Sequence, residues 1–89
     1  MSSDARSATG SRAEDRLCRT MAAVLGVDAD CLGDDASPET IAEWDSMGHL
    51  NLVMAVESEF GVSLSAEDAL GMRNVAAIRR LLRGRGVQA

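Results

Sequence analysis

The feature that most constrains the fold is a long, mostly apolar run over residues 47–60, which contains no proline and, after Gly48, no glycine until Gly61. Asp45 and Ser46 stand directly before this run. A short side chain that can accept a hydrogen bond, followed by apolar residues at helical spacing, is typical of a helix N-terminus. The sequence therefore predicts a long helix that has Asp45 as its cap and Ser46 in its first turn.

The apolar side chains of this helix fall on two faces when its residues are placed at about 100° intervals. One face holds Leu52, Val53, Val56 and Phe60. The other holds Met47, Leu50 and Met54, the methionine strip, close to Ser46 and Glu57. A small domain buries only one face of a helix in its own core, so the second face has two explanations. Either the helix is buried on most sides, or the methionine strip is a docking surface for partners, which flexible methionine side chains suit.

A first helix and a long loop are predicted before this central helix. Apolar residues at helical spacing run from residue 11 or 12 to about Leu25, with Asp15 in the first turn, where the helix dipole favours acids. Residues 26–44 then form a long loop, which we expect to be fixed to the core by Trp44. A connection of this length is what a bundle uses when consecutive helices are not simple antiparallel neighbours.

Two more helices are predicted after the central one. Ser65 caps a short third helix that ends near Gly71, and Asn74 caps a last helix that ends at Gly84. We therefore predict an all-α fold, a small four-helix bundle of three longer helices and one short third helix. The predicted boundaries are a flexible tail over residues 1–11, one domain over 12–83 and a flexible tail over 84–89.

Charge is distributed unevenly along the chain. The formal net charge is -5, all basic residues are arginines, and none lies between Arg19 and Arg73. Such an acidic centre repels phosphate backbones and anionic lipids, so we expect neither nucleic-acid nor membrane binding. No apolar segment is long enough to cross a bilayer and no signal peptide is evident, which predicts a cytoplasmic protein. We expect a monomer.

Catalysis and metal binding are both weakly supported by the residues. A Ser46–His49–Asp45 triad can be drawn, but Asp45 cannot readily orient the far nitrogen of His49, and no nucleophile elbow or oxyanion hole is evident. Cys18, Cys31 and the single histidine match no zinc spacing. We therefore predict a protein that is not an enzyme and holds no metal.

The residues around Ser46 resemble the acyl carrier proteins, whose second helix opens with Asp-Ser-Leu. Asp45-Ser46-Met47 matches that tripeptide with Met in place of Leu, and the likeness extends loosely from about residue 15 to residue 83. The resemblance implies that Ser46 receives a 4′-phosphopantetheine arm, whose thiol carries acyl groups as thioesters. It also implies that partners dock on the same part of the helix, near Asp45, Met47, Leu50, Met54 and Glu57.

The form Trp-Asp-Ser-Met-Gly-His-Leu over residues 44–50 looks more like stand-alone carriers of polyketide pathways in secondary metabolism, including those that hold glyceryl-derived or methoxymalonyl-type units. The partners implied are a phosphopantetheinyl transferase, an acyl-loading enzyme, tailoring dehydrogenases and an acyltransferase or ketosynthase. An aminoacyl or peptidyl carrier is one alternative. The other is a helical protein–protein interaction module whose serine is never modified.

Overall fold

The computed structural model describes residues 15–87, and within that range all regular secondary structure is helical. The helices are α1 (Arg16–Leu25), α2 (Ser46–Phe60), α3 (Ala66–Leu70) and α4 (Val75–Gly84), with one 3₁₀ turn over Ala29–Cys31 in the loop between α1 and α2. The predicted all-α bundle of three longer helices and one short third helix is confirmed. None of these helices combines the length and hydropathy that a bilayer span requires.

The start of α1 differs from the prediction. The helix begins at Arg16, and Asp15 is its N-cap rather than a first-turn residue, because its extended backbone places the carboxylate on the N–H groups of Leu17 and Cys18 at 3.0 and 3.3 Å. Sequence periodicity cannot separate a cap from a first-turn acid, since both positions favour aspartate. Residues 11–14 of the predicted helix, and the predicted tail before them, lie outside the described residues.

Glycines end α1 and α2 where the sequence indicated. Gly26 after α1 and Gly61 after α2 have φ values of 72° and 67°, and their N–H groups donate to the carbonyls of Ala22 and Glu57. This left-handed conformation is strained for residues with a Cβ, so glycine is the natural residue at both positions.

The caps of the two C-terminal helices are also confirmed. Ser65 and Asp68 form a reciprocal capping box at the start of α3, and the Asn74 side chain accepts a hydrogen bond from the Ala77 N–H at 2.7 Å. At the C-terminus, Gly84 is the last residue of α4 and the Val87 N–H donates to the Leu82 carbonyl at 3.0 Å. Contacts of the bundle thus continue past residue 83, while the predicted domain boundaries remain predictions.

The core is mainly aliphatic and draws on α1, the long loop, α2, α4 and the residue Met72 that precedes α4, whereas α3 contributes no buried residue. Its fully buried side chains, each at most 2% exposed, are Leu17, Cys18, Met21, Leu32, Trp44, Leu52, Val56, Met72, Val75, Ile78 and Leu82. The two from α2, Leu52 and Val56, lie on the face predicted to be buried, and Val53 and Phe60 pack at its edge. The long loop contributes Leu32 and the predicted anchor Trp44, so it is part of the fold rather than an appendage.

The long loop is also fixed to α4 by its backbone and by one arginine. Its carbonyls at Ala36 and Asp34 accept hydrogen bonds from the N–H groups of Val75 and Ala76, at 3.1 and 3.0 Å, which satisfies first-turn donors of α4. Arg79 of α4 lies 2.7 Å from Asp15 and 3.6 Å from Asp34. Burial lowers the pKa of Arg79, but the hydrogen bonds and charges of Asp15 and Cys18 together outweigh burial and raise that pKa above its usual value.

Candidate functional site

Ser46 is the first residue of α2, and its side chain is exposed. Asp45 caps the helix as predicted: its Oδ1 accepts the Gly48 N–H at 2.8 Å, and its carbonyl accepts the His49 N–H at 2.8 Å. Because the cap fixes the backbone at this turn, the Ser46 hydroxyl is held at one end of the helix, accessible to a large reagent.

The histidine beside this serine connects three parts of the chain. The Trp44 indole N–H donates to His49 Nδ1 at 3.0 Å, the two rings are nearly parallel, and His49 Nε2 lies 2.8 Å from the Ala69 carbonyl oxygen of α3. An indole nitrogen can only donate and a carbonyl oxygen can only accept, so the neutral imidazole with its proton on Nε2 satisfies both partners. The Trp44–His49 pair therefore joins the loop, α2 and α3.

The same contacts argue against the Ser-His-Asp triad. A general base needs a ring nitrogen free to take the serine proton, and both nitrogens of His49 are occupied by Trp44 and Ala69. Asp45 is engaged with Gly48 N–H and not with the histidine. The geometry gives Ser46 no activating base within the described residues.

Gly48 allows the loop to approach α2 closely. A Cβ at this position would collide with the Glu43 carbonyl oxygen and lie only 3.1 Å from Leu25 Cδ2. Backbone atoms yield little, so a larger residue here would push the loop away from the helix start. The requirement for glycine at this position comes from a tertiary contact, which the periodicity of the sequence cannot reveal.

The methionine strip lies at the surface. Met47, Leu50 and Met54 are 65%, 53% and 55% exposed, so the interpretation of a helix buried on most sides is wrong. Sequence reasoning missed a further exposed apolar residue, Leu70 at the end of α3, which is 77% exposed. The sequence carried a signal for this exposure, because Leu70 is the last residue before Gly71 in a helix of only five residues, and so short a helix packs little of its surface against the core.

Glu57 of the predicted docking set has a structural contact. It is half-buried, and its Oε2 accepts the Leu64 N–H at 2.8 Å, which fixes the chain after α2. A docking role for Glu57 remains a prediction. Any substitution there would also remove this hydrogen bond, so the exposed residues of the methionine strip give a cleaner test of docking.

Two open clefts lie side by side near Ser46. One, of about 570 Å³, is lined by Trp44, Asp45 and Ser46, together with Pro38 and His49. The other, of about 610 Å³, shares Pro38 and His49 and continues between the long loop and the end of α3. Ser46 lines only the first of these two adjacent clefts, which are together called the groove below. The sequence did not predict the groove because its lining residues come from distant segments.

A phosphodiester would fit at Ser46 mainly because the hydroxyl is exposed. The positive end of the α2 dipole favours an anion by about 0.3 to 1 kcal/mol. The Asp45 carboxylate is exposed on the adjacent residue, and its repulsion in water is of similar size, about 1 kcal/mol at 4 Å. These terms nearly cancel, so access and the fixed turn are what suit this serine to modification.

Comparison with known protein families agrees with this geometry. A family model described as a phosphopantetheine attachment site matches residues 15–82, from the cap of α1 to within the last turns of α4. The match thus covers all four helices and most of the chain. Proteins with this domain hold 4′-phosphopantetheine covalently.

Proposed function

We propose, from the finding that this chain belongs to the phosphopantetheine-binding family of carrier domains, that Ser46 receives the 4′-phosphopantetheine arm. The loaded chain then presents acyl groups to biosynthetic enzymes. Domains of this family are generally non-catalytic and work with a phosphopantetheinyl transferase and with biosynthetic enzymes. The bound group supplies a thiol that carries acyl groups as thioesters. The observation that carries the assignment is the exposed hydroxyl of Ser46 at the capped start of α2.

The residues around Ser46 present it to the transferase. In the modification, the Ser46 hydroxyl gives up its proton to a base of the transferase, and its oxygen forms the new bond to phosphorus of coenzyme A, from which adenosine bisphosphate leaves. Asp45 holds the backbone of the turn through Gly48, and the Trp44–His49 pair holds the loop beside it. The chain therefore supplies a fixed and exposed hydroxyl, and the transferase supplies the base.

The finer assignment follows the resemblance of residues 44–50. The proposed cargo is an acyl group rather than an aminoacyl one, and the proposed setting is a cytoplasmic polyketide or related secondary pathway that uses glyceryl or methoxymalonyl-type units. The proposed partners beyond the transferase are an acyl-loading enzyme, tailoring dehydrogenases and an acyltransferase or ketosynthase. The exposure of Met47, Leu50 and Met54 supports docking of these enzymes on the methionine strip.

The test is the intact mass of the full chain after incubation with coenzyme A, magnesium and a promiscuous phosphopantetheinyl transferase. We expect the wild type to gain one phosphopantetheinyl group and Ser46→Ala to gain none. Ser58→Ala is the matched control, because Ser58 is an exposed serine on the same helix, and it should load like the wild type. Loading of Ser46→Ala, or no loading of a folded wild type, would contradict the assignment; the second outcome would favour the unmodified interaction module.

A further inference from the structure

The second cleft of the groove does not include Ser46, but it shares Pro38 and His49 with the cleft that does. This second cleft is lined by His49, by the end of α3, by Arg73 and Asn74 just before α4, and by Asp35 and Glu39 of the long loop. Its volume of about 610 Å³ lies within the range of roughly 300 to 1,000 Å³ that is typical of small-molecule sites. A group tethered at Ser46 therefore has a neighbouring open cleft available to it.

The walls of this cleft offer both kinds of hydrogen-bonding group. Arg73 can only donate, Asp35 and Glu39 can only accept when ionised, and the Asn74 side chain does both, although its oxygen already caps α4. A hydroxyl group also donates and accepts, so it can pair with either wall. An aliphatic acyl chain can use neither.

The charged side chains of the cleft are available to a ligand. Arg73, Asp35 and Glu39 are exposed, and none of the three has an ion pair with another residue in the range 15–87. Arg16, Arg79 and Arg85, by contrast, are each paired with an acid. Arg73 can thus bind a ligand without first breaking a salt bridge within the described chain.

The balance of charge distinguishes between two kinds of cargo. His49 is neutral in the tautomer that its two contacts require, so the cleft holds two carboxylates, Asp35 and Glu39, against one guanidinium, Arg73. A cargo that ends in a carboxylate meets a net negative surface. A neutral hydroxylated cargo meets none of that repulsion and keeps its hydrogen bonds.

We propose that this cleft is a cargo subsite, and that it holds a short, uncharged acyl group bearing hydroxyls in preference to one bearing a carboxylate or an unsubstituted alkyl chain. Arg73 is the donor that binds a cargo hydroxyl, and Asp35 and Glu39 exclude anionic cargo. The inference rests on the proposed attachment at Ser46. Between the two units suggested by the resemblance, it favours the glyceryl type over the malonyl type.

The experiment loads the full chain with pantetheine analogues that carry glyceryl, malonyl or butyryl groups through a stable amide. Intact mass first verifies one attached group, and backbone amide chemical shifts then report where each cargo rests. We expect the glyceryl form to shift the amides of Leu70, Arg73 and Asn74 several-fold more than the butyryl or malonyl forms. Arg73→Gln should remove most of that difference, and Arg80→Gln, an exposed arginine of α4 outside the cleft, should retain it.

A second variant tests the role of the acids. The double substitution Asp35→Asn with Glu39→Gln should increase the shifts caused by the malonyl form, most clearly at low salt, because screening weakens exposed charges. Shifts confined to the neighbours of Ser46 for every cargo, or malonyl shifts equal to glyceryl shifts in the wild type, would overturn the subsite. Absence of the added mass would instead show that attachment at Ser46 had failed, so the two failures are distinguishable.

Discussion

The α1–α4 side of the molecule and the Ser46 side are built from similar residues but use them differently. Between α1, α4 and the loop, Arg79 is 15% exposed and bound to Asp15 and Asp34. Beside the groove, Arg73 is exposed and has no ion pair within residues 15–87. One region satisfies its polar groups internally, whereas the other leaves them available to something outside the chain.

The apolar side chains of α2 show the same contrast at closer range. Leu52 and Val56 are fully buried, whereas Met47, Leu50 and Met54 on the same helix are more than half exposed. Burial of a leucine stabilises the fold by about 1.5 to 3 kcal/mol, which the exposed residues forgo. We infer that α2 gives one face to stability and the other to function.

The largest expected effect comes from a matched pair of leucines on α2. Leu52→Ala removes a fully buried side chain and should lower the free energy of unfolding by about 2 to 5 kcal/mol. Leu50→Ala should change it by no more than about 0.5 kcal/mol, because the side chain is 53% exposed. Chemical denaturation measures both.

The Leu50→Ala variant also tests docking. Leu50→Ala in the loaded carrier should raise the KM of at least one partner enzyme several-fold with little change in kcat, because it removes contact area rather than chemistry. Unchanged KM values with every partner would contradict a docking role for the methionine strip. A large loss of stability in Leu50→Ala would break the comparison between the two faces.

The two arginines provide the next contrast. Arg79→Met should destabilise the fold by about 1 to 3 kcal/mol, since it removes a charged contact with Asp15 that is largely shielded from solvent. Arg73→Met should stay within about 0.5 kcal/mol of the wild type. Thermal unfolding of both variants at low and high salt checks this, and equal destabilisation would show that Arg73 is also a structural residue.

The sequence predicted those parts of the molecule that depend on neighbours along the chain. The caps at Asp45, Ser65 and Asn74 and the stops at Gly26 and Gly61 require only local hydrogen bonds and backbone conformation, so each could be recognised from residue type and spacing. The two faces of α2 followed from helical periodicity in the same way.

The groove and the inward-facing arginine could not be predicted in this way. Periodicity gives the position of Arg79 on α4 but not its partners, Asp15 and Asp34, which lie far away in the sequence. His49 likewise contacts Ala69 only because the chain after α2 brings the end of α3 back to the start of α2. Such contacts are decided by the packing of the whole chain.

The smallest expected effect concerns the capping box of α3, and it depends on pH. The Ser65 N–H, and then Arg85, lower the pKa of Asp68 below its usual value of 3.8. A depressed pKa means that the folded state binds a proton less readily than the unfolded state, so Asp68 contributes stability above about pH 4 that is lost as the pH falls through its folded pKa.

Asp68→Asn should therefore lower Tm by a few degrees at neutral pH, and this difference should shrink in acid. Glu67→Gln, on the exposed side of the same turn, should show neither change. A Tm difference for Asp68→Asn that stayed constant from neutral to acid pH would mean that the carboxylate acts here through its shape and hydrogen bonds, not through its charge.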